Sequence, residues 1–163
     1  MRNFDYLQYT YLHRKAFYYT VNKLVKDESD MKEMMARFKR HDMDKMVMYT
    51  IMDKKDASHY HRTHQSHHVD NNLKKTYYDY MEMVIDWECA AITKPDKPLN
   101  AYDTLHKYYP QLEEQITPIL EKFGINMSYV NNDEEAKKYV EQFTPVTEED
   151  ILSDITTYLH NII

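Results

Sequence analysis

Apolar positions in the first part of the chain recur at three- and four-residue steps. Tyr6, Tyr9, His13, Ala16, Phe17, Thr20 and Leu24 share one face of a helix over residues 4–26. Asp27-Glu28-Ser29-Asp30 interrupts the pattern and offers a cap for a second helix from Met31. Met34, Met35, Phe38 and His41, followed by Asp42 and Lys45, extend that helix to Met52, with room for a kink. Residues 53–72 are polar, histidine-dense and without sustained apolar period. They read as a long loop with room for a short helix, and loops of that length often belong to a site. A helix over 73–93, rich in Tyr, Met and Ile, is closed by Lys94-Pro95-Asp96-Lys97-Pro98. Asn100 caps a helix over 101–109, and Pro110 opens another that reaches Phe123 before Gly124, with Pro118 a candidate break. Helices over 133–143 and 148–160 follow, the last with a capping arrangement of Thr147 and Asp150. The pattern predicts an all-α, compact single-domain bundle of about six to eight helices. Residues 1–124 form its body, and 125–163 a helical extension packed on the same domain.

Composition supports helices over sheets. A single glycine and five prolines leave few tight turns, while 11 methionines suit helical cores. No segment approaches the ~20 apolar residues that span a bilayer, so no membrane is expected as a partner. Met-Arg-Asn-Phe-Asp-Tyr lacks the basic-then-apolar order of a secretory leader. Cys89 is the only cysteine, which excludes an internal disulfide and suits a reducing, cytoplasmic setting.

The net charge of −6 is unevenly spread. Residues 1–31 hold five Lys/Arg against four Asp/Glu, 32–75 ten against six, and 76–163 six against seventeen. So acidic a second half argues against wrapping a long nucleic acid. It leaves a basic middle that could receive a small anion, or that is simply solvated helix surface.

Asp86 is the residue that composition singles out. It stands in Met83-Val84-Ile85-Asp86-Trp87-Glu88-Cys89-Ala90-Ala91-Ile92, where an unpaired carboxylate would cost several kcal/mol. Glu82 and Asp79 lie one and two turns back, and like charges at that spacing repel unless a cation is near. A metal ion or the Lys45 ammonium would supply one; a salt bridge to a core Lys or Arg is the plainer solution. His13 sits on the apolar face of the first helix, where, taken alone, a core histidine bonded to a tyrosine or a backbone carbonyl is the favoured reading over a metal ligand. His41-Asp42 sits mid-helix, so the two side chains diverge by about 100° and share an ion only between their directions. Five histidines fall within residues 59–68: His59, His61, His64, His67 and His68. They could complete a second metal position or pass protons, or form a surface chelator.

The order of His, His-Asp, further His and Asp on helices resembles the HD-domain superfamily of metal-dependent phosphohydrolases. More narrowly it is similar to an uncharacterised family of small bacterial and phage proteins. The matching segments are Tyr11-Leu12-His13-Arg14, His41-Asp42-Met43-Asp44-Lys45, His64-Gln65-Ser66-His67-His68 and Asp86-Trp87-Glu88-Cys89-Ala90. The resemblance covers roughly residues 5–124. It implies His13, His41, Asp42, His64, His68 and Asp86 as metal ligands, with one or two divalent transition-metal ions, Mn, Fe, Co, Ni and Zn being undistinguished. It implies Lys45, His67 and His68 as catalytic groups and Lys45 and Arg62 as substrate-binding cations. Lys45 stands where many HD enzymes carry Glu, so a general-base role does not carry over to it.

The expected activity is hydrolysis of a nucleotide or other small phosphate ester in a bacterial or phage-infected cell. The rival is a non-enzymatic interaction or inhibitor protein with a structural metal, meeting a basic partner through its acidic C-terminal half. A third reading is a histidine-rich metal buffer.

Overall fold

A computed structural model describes residues 1–162. Every regular element among them is helical. The α-helices are α1 (Phe4–Leu24), α2 (Glu28–Phe38), α3 (Met43–Tyr49), α4 (Lys54–His64) and α5 (Tyr77–Thr93). They are followed by α6 (Ala101–Tyr108), α7 (Glu113–Lys122), α8 (Glu134–Glu141) and α9 (Glu148–Ile162). A 3-10 turn, Pro110–Leu112, leads into α7. No helix among the described residues is long and apolar enough to cross a membrane.

Local chemistry starts most of these helices where the sequence places a cap. The side chains of Asp27, Asn100 and Asp133 accept from the backbone N–H three residues on. Thr76 and Asp79 form a reciprocal capping box, and Thr147 and Asp150 exchange the same pair of bonds. At Gly124, φ is +73°, the left-handed conformation that glycine adopts freely after a helix.

Two expected elements differ. The helix expected from Met31 to Met52 is two helices, α2 and α3, separated at residues 39–42. Asp42 has φ 58° and ψ 9°, a left-handed conformation that stops the first helix and redirects the chain. The stretch expected as a loop holds α4, capped by Asp53. Its buried positions are Ala57 and His61, four residues apart, so its core face shows no apolar stripe. Pro118 does not break α7. The backbone bond it forfeits belongs to the carbonyl of Glu114, an exposed residue that water can reach.

The apolar interior divides into two clusters that share α1. Ala16, Phe17 and Val21 pack with Met34 of α2, with Met81 and Ile85 of α5, and with residues of α6, α7 and α8. Leu7 and Tyr11 pack instead with Met43 and Met46 of α3, Ala57 of α4, and Ile151 and Ile155 of α9. α8 thus lies against the first cluster and α9 against the second. His13 and Arg14 fall on α1 at the changeover from one cluster to the other.

Candidate metal centre

Histidines and carboxylates from five segments converge at that changeover. His13 comes from α1, His41 and Asp42 from the α2–α3 junction, and His61 from α4. His67 and His68 come from the chain after α4, and Asp86 from α5. His41 is 1% exposed, His61 1%, His67 2% and Asp42 6%, so these polar groups have been taken out of water together.

The junction is held open by Arg14. Its Nη1 donates to the carbonyls of Phe38 (2.7 Å) and His41 (2.6 Å) beyond the regular turns of α2. The left-handed turn at Asp42 then points His41 and Asp42 at one place. This corrects the mid-helix expectation, in which the two side chains diverge.

Asp42 divides its two oxygens between two groups of ligands. Oδ2 lies 3.5 Å from His13 Nε2 and 3.7 Å from His41 Nε2, and Asp86 Oδ1 is 2.8 Å from His13 Nε2 and 3.2 Å from His41 Nε2. Oδ1 lies 3.0 Å from His61 Nε2 and 3.3 Å from His67 Nε2. The sets His13–His41–Asp42–Asp86 and Asp42–His61–His67–His68 each have one ligand atom per residue within 4.8 Å of the others.

The outward nitrogens of three rings are tied down. His41 Nδ1 and His67 Nδ1 both donate to Glu82 Oε2, at 2.8 and 3.0 Å, and His61 Nδ1 donates to Asp44 at 2.9 Å. A histidine that gives its Nδ1 proton to a carboxylate turns its Nε2 lone pair inward, as metal-binding histidines do. Asp42 Oδ1, His61 Nε2 and His67 Nε2 are buried, face one another and make no hydrogen bond of good geometry. Buried polar atoms that converge in this way need a proton or a metal ion between them, and the donor set of imidazole and carboxylate suits a divalent transition metal.

The electrostatics point the same way. Burial would lower the His41 pKa, but Asp42, Asp86 and Glu82 outweigh it and raise it to about 9. Burial likewise opposes charge on His67, yet Asp42 and Glu82 hold its pKa well above the ordinary imidazole value. Asp42 is buried and Asp86 half-buried, and this desolvation raises a carboxyl pKa, but the surrounding imidazoles keep both well below the usual range. The centre draws positive charge, as protons or as metal. His68 is pushed down to about 3 by burial and by His67 and His61, so it stays neutral at pH 7.

Glu82 and Asp79 have a partner that sequence reading did not name. Arg37 Nη1 donates to Asp79 Oδ1 (2.8 Å) and Glu82 Oε1 (3.1 Å), and its Nε donates to Glu33 (2.9 Å). Arg37 falls three residues after Met34 on the buried side of α2, and a cation at an apolar-face position was the available signal. Lys45, expected as a substrate-binding cation or as the counter-charge to the acids of α5, pairs with no carboxylate among the described residues. It lines the cleft, with its Nζ 5.8 Å over the Tyr49 ring.

The cleft has a volume of about 180 Å³ and opens onto His13, Asp42, His61, His68 and Asp86, with Lys45 and Arg62 on its walls. His67, expected as a catalytic proton donor, lies behind it, its Nδ1 committed to Glu82 and its Nε2 facing Asp42. It fits a ligand, not an acid that reaches a leaving group. His64, expected as a ligand, ends α4 and is exposed. Its Nδ1 bonds the Tyr60 carbonyl and its ring stacks on Tyr60, 3.8 Å between centroids. His61 takes the place expected of it. His64→Ala is therefore expected to leave the metal content of the purified protein unchanged, whereas His61→Ala lowers it; elemental analysis of both decides. The chain matches no family profile, no curated protein and no solved structure.

Proposed function

We propose that the protein is a metal-dependent phosphohydrolase acting on a nucleotide or other small phosphate ester in the cytoplasm. The observation that carries this reading is Asp42, whose two oxygens face two separate histidine groups at the floor of an open, cation-walled cleft. His13, His41, Asp42 and Asp86 would hold one divalent ion, and Asp42, His61, His67 and His68 a second. A bound divalent ion supplies a Lewis acid that brings the pKa of water towards neutrality.

The remaining work falls to the chain. Lys45 and Arg62, on the cleft wall, set positive charge against phosphoryl oxygens. Glu82 and Asp44 fix the tautomers of His41, His67 and His61. Arg14 keeps the α2–α3 junction in the one conformation that aims Asp42 into the site. His68, half-buried at the cleft wall and held neutral by burial and by its imidazole neighbours, keeps a ring lone pair available for the second ion.

The test is phosphate release from a panel of nucleotides and small phosphate esters, with protein loaded with each divalent metal in turn. Release that stops on chelation and returns on adding metal supports the reading. Release indifferent to chelator, or none with both ligand groups filled, defeats it. The second outcome would favour a non-enzymatic interaction protein on the same scaffold. Leu152 and Leu159, exposed on α9 within the acidic half, are the specific features that suit it.

A further inference from the structure

The mouth of the cleft carries more positive charge than one phosphoryl group needs. Lys45, Arg62 and Lys94 line it. Lys54 and Lys97 stand close enough for their charges to add to burial and to Lys45 in lowering the Lys94 pKa. In a chain of net charge −6 the expectation is that such lysines find carboxylates. The lysine–carboxylate pairs among the described residues are Lys23–Asp133, Lys122–Asp30 and Lys137–Glu134, and none of them uses a lysine of the mouth.

These ammonium groups rest on aromatic faces instead. Lys45 lies over Tyr49, Lys54 is 5.4 Å over Tyr6, and Lys94 is 5.3 Å over Tyr9. A cation–π contact holds an ammonium in place without cancelling its charge, as an ion pair would. Tyr9 is itself stacked on His13, with centroids 6.3 Å apart and planes 14° apart. Lys94 therefore stands one aromatic ring outward from the histidine centre. A phosphoryl group over that centre is served by Lys45 and Arg62, and Lys94 and Lys54 are left with no carboxylate in salt-bridge contact among the described residues.

We propose that Lys94, with Lys54 beside it, forms a second anion subsite at the cleft mouth. The ligand then carries a phosphate beyond the one over the histidine centre, as a nucleoside diphosphate or a bisphosphate does. Naming that ligand a substrate rests on the hydrolase reading; the subsite itself does not.

Two measurements keep these apart. The first is calorimetric binding of inorganic pyrophosphate and orthophosphate to the metal-loaded protein at low salt, with metal retention checked after titration. Pyrophosphate is expected to bind at least about tenfold more tightly than orthophosphate. Lys94→Glu, an exposed change at the end of α5, should remove that advantage while moving orthophosphate by no more than about twofold. Equal affinity for the two anions in the unmodified protein overturns the subsite. So does an equal loss for both in Lys94→Glu, or a pyrophosphate loss of the same size in Lys107→Glu on α6, which would mean only a general field. The second measurement compares turnover of adenosine diphosphate and monophosphate. Pyrophosphate preference without turnover of these two nucleotides or of any other member of the panel sinks the hydrolase reading and leaves the subsite standing. Equal turnover of both nucleotides without pyrophosphate preference does the reverse.

Discussion

Asp42→Asn is expected to empty both ligand groups at once and to lower phosphate release by a factor on the order of 10³. Asn tolerates the left-handed conformation at φ 58°, so the variant keeps the backbone and loses the charge. Without that charge, neither Oδ1 beside His61 and His67 nor Oδ2 beside His13 and His41 draws a cation. His61→Ala is the contrast. It removes a ligand from one group alone and leaves Asp42 charged, so the protein should keep the ion held through His13, His41, Asp42 and Asp86. Elemental analysis and turnover read together give the answer. Unchanged metal content and rate in Asp42→Asn would mean that the carboxylate is not the shared ligand.

Arg37→Met is expected to destabilise the protein by about 3–5 kcal/mol, because three carboxylates lose the cation between them. Arg37 and Asp79 are buried with Glu82, at 8%, 5% and 5% exposure, so water cannot replace the guanidinium. The loss should appear as a fall of roughly 10 °C in melting temperature. It should also weaken metal binding, since Glu82 would no longer be held under His41 and His67. Acid brings out the same network. Burial raises the Asp79 pKa, but Ser66, Arg37 and Thr76 outweigh it and hold it down to about 2. A carboxyl depressed on folding contributes stability that is complete above its unfolded value, near 3.9. That contribution is lost as pH falls through about 2. The unmodified protein should therefore lose stability between about pH 4 and 2, and Arg37→Met should lose less there because it has less to lose. A melting temperature within about 2 °C of the parent at pH 7 would remove the network from the list of stabilising features.

The sequence made the helices legible where side chains alternate on a 3.6-residue period and a cap precedes them, as at Asp27, Asn100 and Thr147. It could not show the break at 39–42, because the guanidinium that holds it comes from Arg14 on another helix. α4 was hidden for a different reason. Its core face is Ala57 and His61, and an imidazole doing the work of an apolar residue leaves no hydrophobic stripe. Asp86 was readable because an acid in an apolar run demands partners, which His13 and His41 supply. His61 and His64 could not be told apart by spacing; the choice is made by Asp44 and Tyr60, which bind their Nδ1 atoms. Glu82 was legible as an unusual acid but not as the acceptor for two imidazoles, since those lie 41 and 15 positions away and meet only in the fold.

The position of the centre between two apolar clusters bears on how the chain assembles. Phe17 and Met34 belong to one cluster and Met43 and Ala57 to the other, while the ligands come from both sides. Either cluster can collapse by excluding water from carbon. Joining them means desolvating five imidazoles and three carboxylates together, which is unfavourable until protons or an ion arrive. The docking of the two clusters is therefore expected to be limited by charging of the centre, not by packing. Refolding rates should rise with divalent ion and be limited at the stage where α3, α4 and α9 dock. A refolding rate unaffected by the ion would place charging after docking instead.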